Sequence, residues 1–496
     1  MKVILAGHNL DISVIAEARN KGVAPERLSP EVLSAAYARI SRDPRPVDEL
    51  RQAALDEVEK ARASNRRIIF GMGHHSVAEH AVFNFDIIGL SRLAIESLEH
   101  FRLCSFTEKS QRYITLDHDY VTPAELDEPP FREALGELVT QQASVYAQLH
   151  AALLAHLEAE FPDMAQKKST RNTLDGWAKE DARYATLLCT TGQLGMTTNA
   201  RNLELMIKRL NAAPLQELRA LARALYEPAS QSAPSILLFT EPTPYDLSSA
   251  VSDAHPALQQ LRTAPNPCDT EVALVHATKD ADRRVAAALL AAQSGRSFEA
   301  CWQVVSAMPD EALRGIFVDA LQHMEFYDSV PRAFEHAQLT FDVVVSAACY
   351  GQLKRHRMMS QTPGPYCPSL GITLPPRVVE LGLSEVFTAF ADRAAALFET
   401  VQAVRPEAAP YALTNAHRRR VLLTMNLRDL YHFCRLREDA HAQWDIQHLA
   451  ARMREAAEKV MPLGTLLLCG KDAYVARYTA VYGRKPAMDP AQPTLL

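Results

Sequence analysis

EHAVFNFDIIGLSRLAIESLEHFRLCSFTEKSQRY, residues 79–113, returns in diverged form as EHAQLTFDVVVSAACYGQLKRHRMMSQTPGPYC, residues 335–367. Both copies open on Glu-His (Glu79 and His80; Glu335 and His336), and one single-residue gap keeps them in phase. Beyond the gap, the first copy holds Glu108, Ser110 and Arg112 where the second has Pro363, Pro365 and Cys367. The second holds Gln352, Arg355 and His356 where the first has Ser97, His100 and Phe101. Each copy retains what the other has lost, which implies one working site shared between two halves of the chain.

Working outward, each half opens on a short apolar strand, Lys2 to Ala6 and Glu271 to His276, followed by an Ala-rich helical segment. A strand-like run follows each Glu-His pair, Val82 to Ile88 and Gln338 to Val345, then an amphipathic helix, then a Ser/Thr-containing loop. Long amphipathic patterns such as Arg132 to Phe161 and Val379 to Val404 predict helices wrapped around each sheet. The expected fold is therefore α+β, two tandem homologous domains, each a mixed sheet with long surrounding helices. Pro and Ser concentrate between Tyr226 and Asn266, so we expect a first repeat at 1–245, a linker at 246–268 and a second repeat at 269–496.

The chain has 496 residues, 48% of them hydrophobic, enough for two cored domains. No apolar run approaches the roughly 18 residues of a membrane span, and the start MKVILAGHNLDISV lacks the order of a signal peptide, so a cytoplasmic location without membrane attachment is expected. Eight cysteines without a CxxC pair argue against a disulfide framework or a cysteine-rich zinc site and read as buried thiols. A formal net charge of −6 gives no general attraction to polyanions, so nucleic acid polymers are excluded as partners and any phosphate must be held by local arginines.

Arg355, His356 and Arg357 form a cationic cluster at a predicted helix end, costly to bury without an anion. A solvated basic face is the plain alternative, and HRRR at His417 to Arg420 is expected to be one. SFTEKSQRY, Ser105 to Tyr113, combines hydroxyls, a carboxylate and a guanidinium, groups that can hold a phosphate and a sugar or base, although turn-rich surface loops share that composition.

Together these motifs resemble the flavin-dependent thymidylate synthase family in a tandem-duplicated form. The family signature, RHR, then xxS, then a polar run ending in SxR, is split here: RHRMMS at Arg355 to Ser360 in one half and SFTEKSQRY in the other. GHHSVAEH, Gly73 to His80, is similar to the family's upstream histidine segment, and MNLRDLYHFCRLREDAHAQWDIQ, Met425 to Gln447, to its NxRxLxxFxxLRxxxxAQWEI block. The resemblance covers nearly the whole chain outside the linker.

It implies FAD as cofactor, NADPH and methylenetetrahydrofolate as co-substrates, and methylation of dUMP to dTMP, in a homodimer that imitates the family's tetramer. Its nucleotide positions map to Gln352, Arg355 and Arg437 on one side, and to Glu108, Ser110, Arg112 and Arg183 on the other. Its flavin positions map to Arg355, His356, Arg357, Asn426, Leu427, Arg428 and His432, with His74, Ser76 and Glu108 from the facing half. Arg355, Arg112 and Arg183 would hold the phosphate, each worth on the order of 1.5 to 3 kcal/mol. Arg437 would act catalytically by favouring the ionised uracil. Ser110 is expected as a ligand and not a nucleophile, because no base is placed to activate it. The reciprocal site, with Pro363, Pro365, Cys367 and Pro410, would be inactive. His74 has two plain alternatives, capping a helix end or joining His75 and Glu79 in a metal site, but no third ligand is spaced to complete one and no metal is expected. Methylation of another pyrimidine nucleotide and a non-catalytic nucleotide-binding scaffold remain open.

Overall fold

The computed structural model describes residues 1–21, 27–40, 42–110, 119–248, 251–252, 254–264 and 270–488. The first repeat builds a four-stranded sheet from β1 (Lys2–His8), β2 (Val82–Ser91), β3 (Ser105–Glu108) and β4 (Thr191–Asn199), in the order β1-β2-β4-β3. The second builds β5 (Val272–Ala277), β6 (Gln338–Ser346), β7 (Ser360–Tyr366) and β8 (Arg418–Asn426) in the equivalent order β5-β6-β8-β7. The α+β class with two homologous sheet-and-helix repeats holds. Pairing within each sheet is antiparallel throughout and not mixed, since the central pair β2 and β4, like β6 and β8, runs in opposite directions.

Alternation explains the central strands. Phe83, Phe85 and Ile87 of β2 are buried while Asn84, Asp86 and Ile88 between them are exposed. The phase then slips, and Leu90 is the next buried side chain. The slip is a β-bulge: the β2–β4 register shifts between Ile88 and Leu90, with Gly89 at φ +73°, a left-handed conformation that Gly adopts without strain. β6 pairs with β8 without a shift from Gln338 to Ser346. The one-residue gap between the two copies is therefore a physical insertion absorbed by one glycine.

Both loops expected after the amphipathic helices contain short strands instead. β3 and β7 lie at sheet edges, where Ser, Thr and Pro are tolerated because one side needs no ladder bonds. Pro363 and Pro365 belong to β7, and the β7–β8 register is interrupted between Pro363 and Tyr366. The HRRR run is likewise not a solvated face. It spans the start of β8, where His417 and Arg419 are buried, Arg419 lies over the rings of Tyr350 (4.9 Å) and Tyr366 (4.4 Å), and Arg420 pairs with Asp342 at 2.9 Å.

The long helix Pro129–Glu160 buries Leu135, Leu138, Gln142, Tyr146, Leu149, Leu153 and Leu157 along one stripe, as its spacing requires. The pattern from Val379 to Val404 splits into Pro376–Glu380 and Ser384–Gln402, because Gly382 at φ +68° ends the first. The chain forms two compact units that depart from the repeat boundaries: 1–265 with 375–415, and 266–374 with 416–496. Within the first unit, Ser384–Gln402 packs on Pro129–Glu160, burying Phe387, Phe390, Phe398 and Val401. Arg377 pairs with Asp181 at 3.3 Å, and the Leu188 and Asn415 amides donate to Leu413 O and Thr186 O, both at 2.8 Å. A long apolar helix needs an apolar partner, and this one finds the matching helix of the other repeat.

The expected linker contains two helices, Pro256–Thr263 and part of Pro244–Leu247, while residues 249–250, 253 and 265–268 lie outside the described residues. Six of the free cysteines are buried and Cys367 is half-buried; Cys268 lies outside the described residues. Among the described residues, no helix is long and apolar enough to cross a membrane.

Candidate functional site

In the second unit, Arg437 is the last residue of the helix Leu427–Arg437, which Asn426 starts by accepting the Asp429 amide on its side chain at 2.8 Å. Ala347–Leu353, the helix after β6, ends just before the RHR run, so Arg355 to Arg357 follow the helix end on the turn that begins at Lys354. Gln361 on β7 pins that turn, its amide donating to Leu353 O at 3.1 Å and His356 O at 3.0 Å.

Three residues singled out in the sequence meet here. Arg437 Nε donates to His356 Nε2 at 2.7 Å, Nη1 to the Gln352 side-chain oxygen at 3.1 Å and Nη2 to the Gln352 carbonyl at 3.4 Å. His356 is buried, and burial first, then the charge of Arg437, holds its imidazole well below the ordinary value. A guanidinium can only donate, so the Nε2 lone pair is the acceptor and the ring proton sits on Nδ1. The cluster expected to carry three cationic groups thus consists of two exposed guanidiniums, Arg355 and Arg357, around a neutral buried ring whose edge meets Phe433 at 4.8 Å. The Gln352 side-chain nitrogen is buried with no hydrogen-bond acceptor among the described residues. A buried unsatisfied donor costs about 1–3 kcal/mol, so a donor held beside Arg437 fits a site that a polar ligand completes.

The remaining second-repeat positions carry structural duties. Leu427 is fully buried and its amide donates to Ala337 O at 2.8 Å. Arg428 Nη1 pairs with Glu335 at 2.9 Å and its Nε donates to Val330 O at 3.0 Å. His432 lies on the same helix, its ring 6.1 Å from that of His356. Asn426 to Arg428 begin the helix whose far end carries Arg437, roughly 15 Å away at 1.5 Å per residue.

In the first unit the expected residues sit on separate elements. Glu108 ends β3 and pairs with Arg92 at 3.3 Å, with side chains only 9% and 8% exposed. Ser110 follows it, half-buried. Arg183 is buried at the turn between the Lys168–Ala182 helix and β4, where its carbonyl accepts the Asn415 amide at 3.1 Å. Its charge opposes the burial and the Asp175 charge that push the Tyr146 hydroxyl up to about 12. His74 and Ser76 are exposed at the short turn His75–His80, and Arg42 approaches His74 Nε2 at 3.3 Å. Arg112 lies outside the described residues. His75 and Glu79 gain no third metal ligand among the described residues.

Reasoning from sequence passed over Arg92, although a signal was there: an arginine opens the helix where the second copy has Ala347. It also missed the pairing of Arg428 with Glu335, which Arg201 and Glu79 repeat in the first half at 2.5 Å.

The same strand order in both sheets, each with its own set of helices, defines a duplicated α+β fold. The sequence profile of the thymidylate synthase complementing protein family, Thy1, matches residues 26–235 and 273–463, and the chain belongs to that family of flavin-dependent thymidylate synthases. A UPF0159 protein of Chlamydia muridarum is 24% identical over 424 residues, 82% of this chain and 80% of its own length. A flavin-dependent thymidylate synthase of Sulfolobus acidocaldarius is 30% identical over 200 residues, 39% of this chain and 74% of its own. One from Clostridium tetani is 27% identical over 218 residues, 43% of this chain and 84% of its own. These two synthases match a repeat-sized stretch, whereas the UPF0159 protein matches across most of the chain.

Proposed function

We propose that the protein is an FAD-dependent thymidylate synthase that methylates dUMP to dTMP with methylenetetrahydrofolate and NADPH, using a composite site drawn from unlike repeats. The observation that carries this is the complementary retention of one family motif, with RHRMMS kept in 335–367 and SFTEKSQRY kept in 79–113. Repeats at 1–245 and 269–496 joined by 246–268 agree with the two matched stretches, 26–235 and 273–463. A cytoplasmic homodimer would then present the four repeats of the family's tetramer.

Arg355, Arg112 and Arg183 hold the nucleotide phosphate, with Ser110 and Glu108 on the phosphate and sugar side. Gln352 offers its unsatisfied side-chain donor to the base, and Arg437, held by His356, presents a fixed cation to the uracil edge, stabilising the ionised ring and raising electron density at carbon 5. No enzyme nucleophile is required. Arg355, Arg357 and the neutral His356, with Asn426, Leu427, Arg428 and His432 along the neighbouring helix and His74, Ser76 and Glu108 from the other repeat, would hold the flavin. Two exposed guanidiniums on a pinned turn suit its pyrophosphate. When bound, the flavin supplies hydride transfer from NADPH.

Purified protein should be yellow and should form dTMP only with dUMP, methylenetetrahydrofolate and NADPH together. Arg112→Ala and Arg355→Ala should each weaken dUMP binding roughly tenfold or more. A colourless protein that binds dUMP would instead favour a nucleotide-binding scaffold, and flavin turnover without dTMP would favour another pyrimidine. These second readings are motivated by the UPF0159 relative, which matches most of the chain under a name that states no activity.

A further inference from the structure

An open cleft of about 490 Å³ in the first unit is walled by Arg39, at the end of the Glu31–Arg39 helix, by Arg42, Asp43 and Arg45 beyond it, and by Lys60 and Arg67, on and after the Val58–Asn65 helix. Five cations line it, Arg39, Arg42, Arg45, Lys60 and Arg67, against one carboxylate, Asp43. Asp43 is consumed by Arg45, at 3.0 and 2.7 Å, and Lys60 by Glu57 outside the cleft at 2.6 Å. Among the described residues, no carboxylate lies within ion-pair distance of Arg39, Arg42 or Arg67. Arg42 instead reaches Met72 Sδ at 3.1 Å and His74 Nε2 at 3.3 Å. Elsewhere arginines find acids readily, as Arg62 finds Glu31 and Glu59 at 2.8 and 2.7 Å on the neighbouring face of the same helix. Three guanidiniums lining one concave surface without an ion-pair partner of their own, beside a single carboxylate already held by Arg45, in a chain of net charge −6, form a local anion trap and not a reflection of overall basicity.

We propose that this cleft binds a small polyanion, a molecule carrying at least two adjacent phosphate or carboxylate groups. The cleft is the size of a small-ligand pocket and far too small for a folded partner. Arg42 joins the cleft to His74, so the anion's other end would lie beside that histidine. Identifying the anion as the charged end of a co-substrate rests on placing His74 at the flavin; the binding itself does not.

The test is calorimetric titration of the full chain with two probes, tripolyphosphate and tri-γ-glutamate. The expected result, with dUMP and FAD added to fill the other proposed site, is binding weakened by added salt, and weakened roughly tenfold or more in Arg39→Ala/Arg67→Ala. Arg39→Lys/Arg67→Lys should retain most of the affinity, and unchanged circular dichroism checks that both variants fold. Binding of tripolyphosphate alone assigns a phosphate ligand, and of tri-γ-glutamate alone a carboxylate one. Failure of both probes, or equal binding by the double-alanine variant, overturns the proposal. Flavin content is measured on the same samples before those additions: colourless protein that still binds a probe removes the co-substrate assignment and keeps the cleft.

Discussion

Arg437 Nε donates to the buried Nε2 of His356 at 2.7 Å, so one histidine of an RHR run serves as the acceptor that aims an arginine 81 residues away. Its neutrality is part of the fold. A histidine whose folded value lies below about 6.5 binds its proton more readily when unfolded. Its contribution to stability is therefore present above pH 6.5 and is lost as pH falls through the folded value. We expect the urea midpoint of the wild type to fall on going from pH 7.5 to 5.5, and His356→Gln to flatten that slope; an unchanged slope would refute neutrality.

Gln352→Met keeps the side chain's bulk and removes both the oxygen that Arg437 uses and the unsatisfied nitrogen. We expect about fivefold weaker dUMP binding, the worth of about 1 kcal/mol, with the melting temperature lowered by no more than a few degrees. Calorimetric titration with dUMP alone measures it, and unaltered affinity would show that the orphaned donor faces no ligand.

Gly89 holds its bulge at φ +73°, where a β-branched residue is strained. Gly89→Val should destabilise the protein by about 1–3 kcal/mol in urea unfolding. Gly195→Ala, on β4 with ordinary backbone and open space at the new methyl, should be nearly neutral.

Glu108 and Arg92 are both largely buried, so Glu108→Gln removes one negative charge beside a desolvated guanidinium. We expect a loss of about 3 kcal/mol, with part recovered in Arg92→Met/Glu108→Gln. A nucleotide-binding defect that persists in this double variant would then report on ligand contact and not on folding.

The central strands and long helices were legible because burial on one face writes itself into the local pattern: Phe83, Phe85 and Ile87 for β2, and Leu149, Leu153 and Leu157 for the longest helix. β3 and β7 were not, since edge strands of four and seven residues carry Ser, Thr and Pro where alternation would otherwise speak. Arg419 misled for a related reason: its charge is visible in sequence, while the two tyrosine rings that cover it come from elements 53 and 69 residues upstream. In the candidate site, Gln352, His356 and Arg437 were reached through resemblance to a family. The protonation of His356 was not, because a triplet of basic letters says nothing about which one is desolvated.

The segment 375–415 belongs by descent to one repeat and by packing to the other's unit, so the polypeptide crosses from unit to unit at 374/375 and again at 415/416. Producing the two repeats as separate proteins, divided near residue 260, would part the Phe387, Phe390 and Phe398 face from the helix it packs on, yielding sticky fragments and not two autonomous proteins.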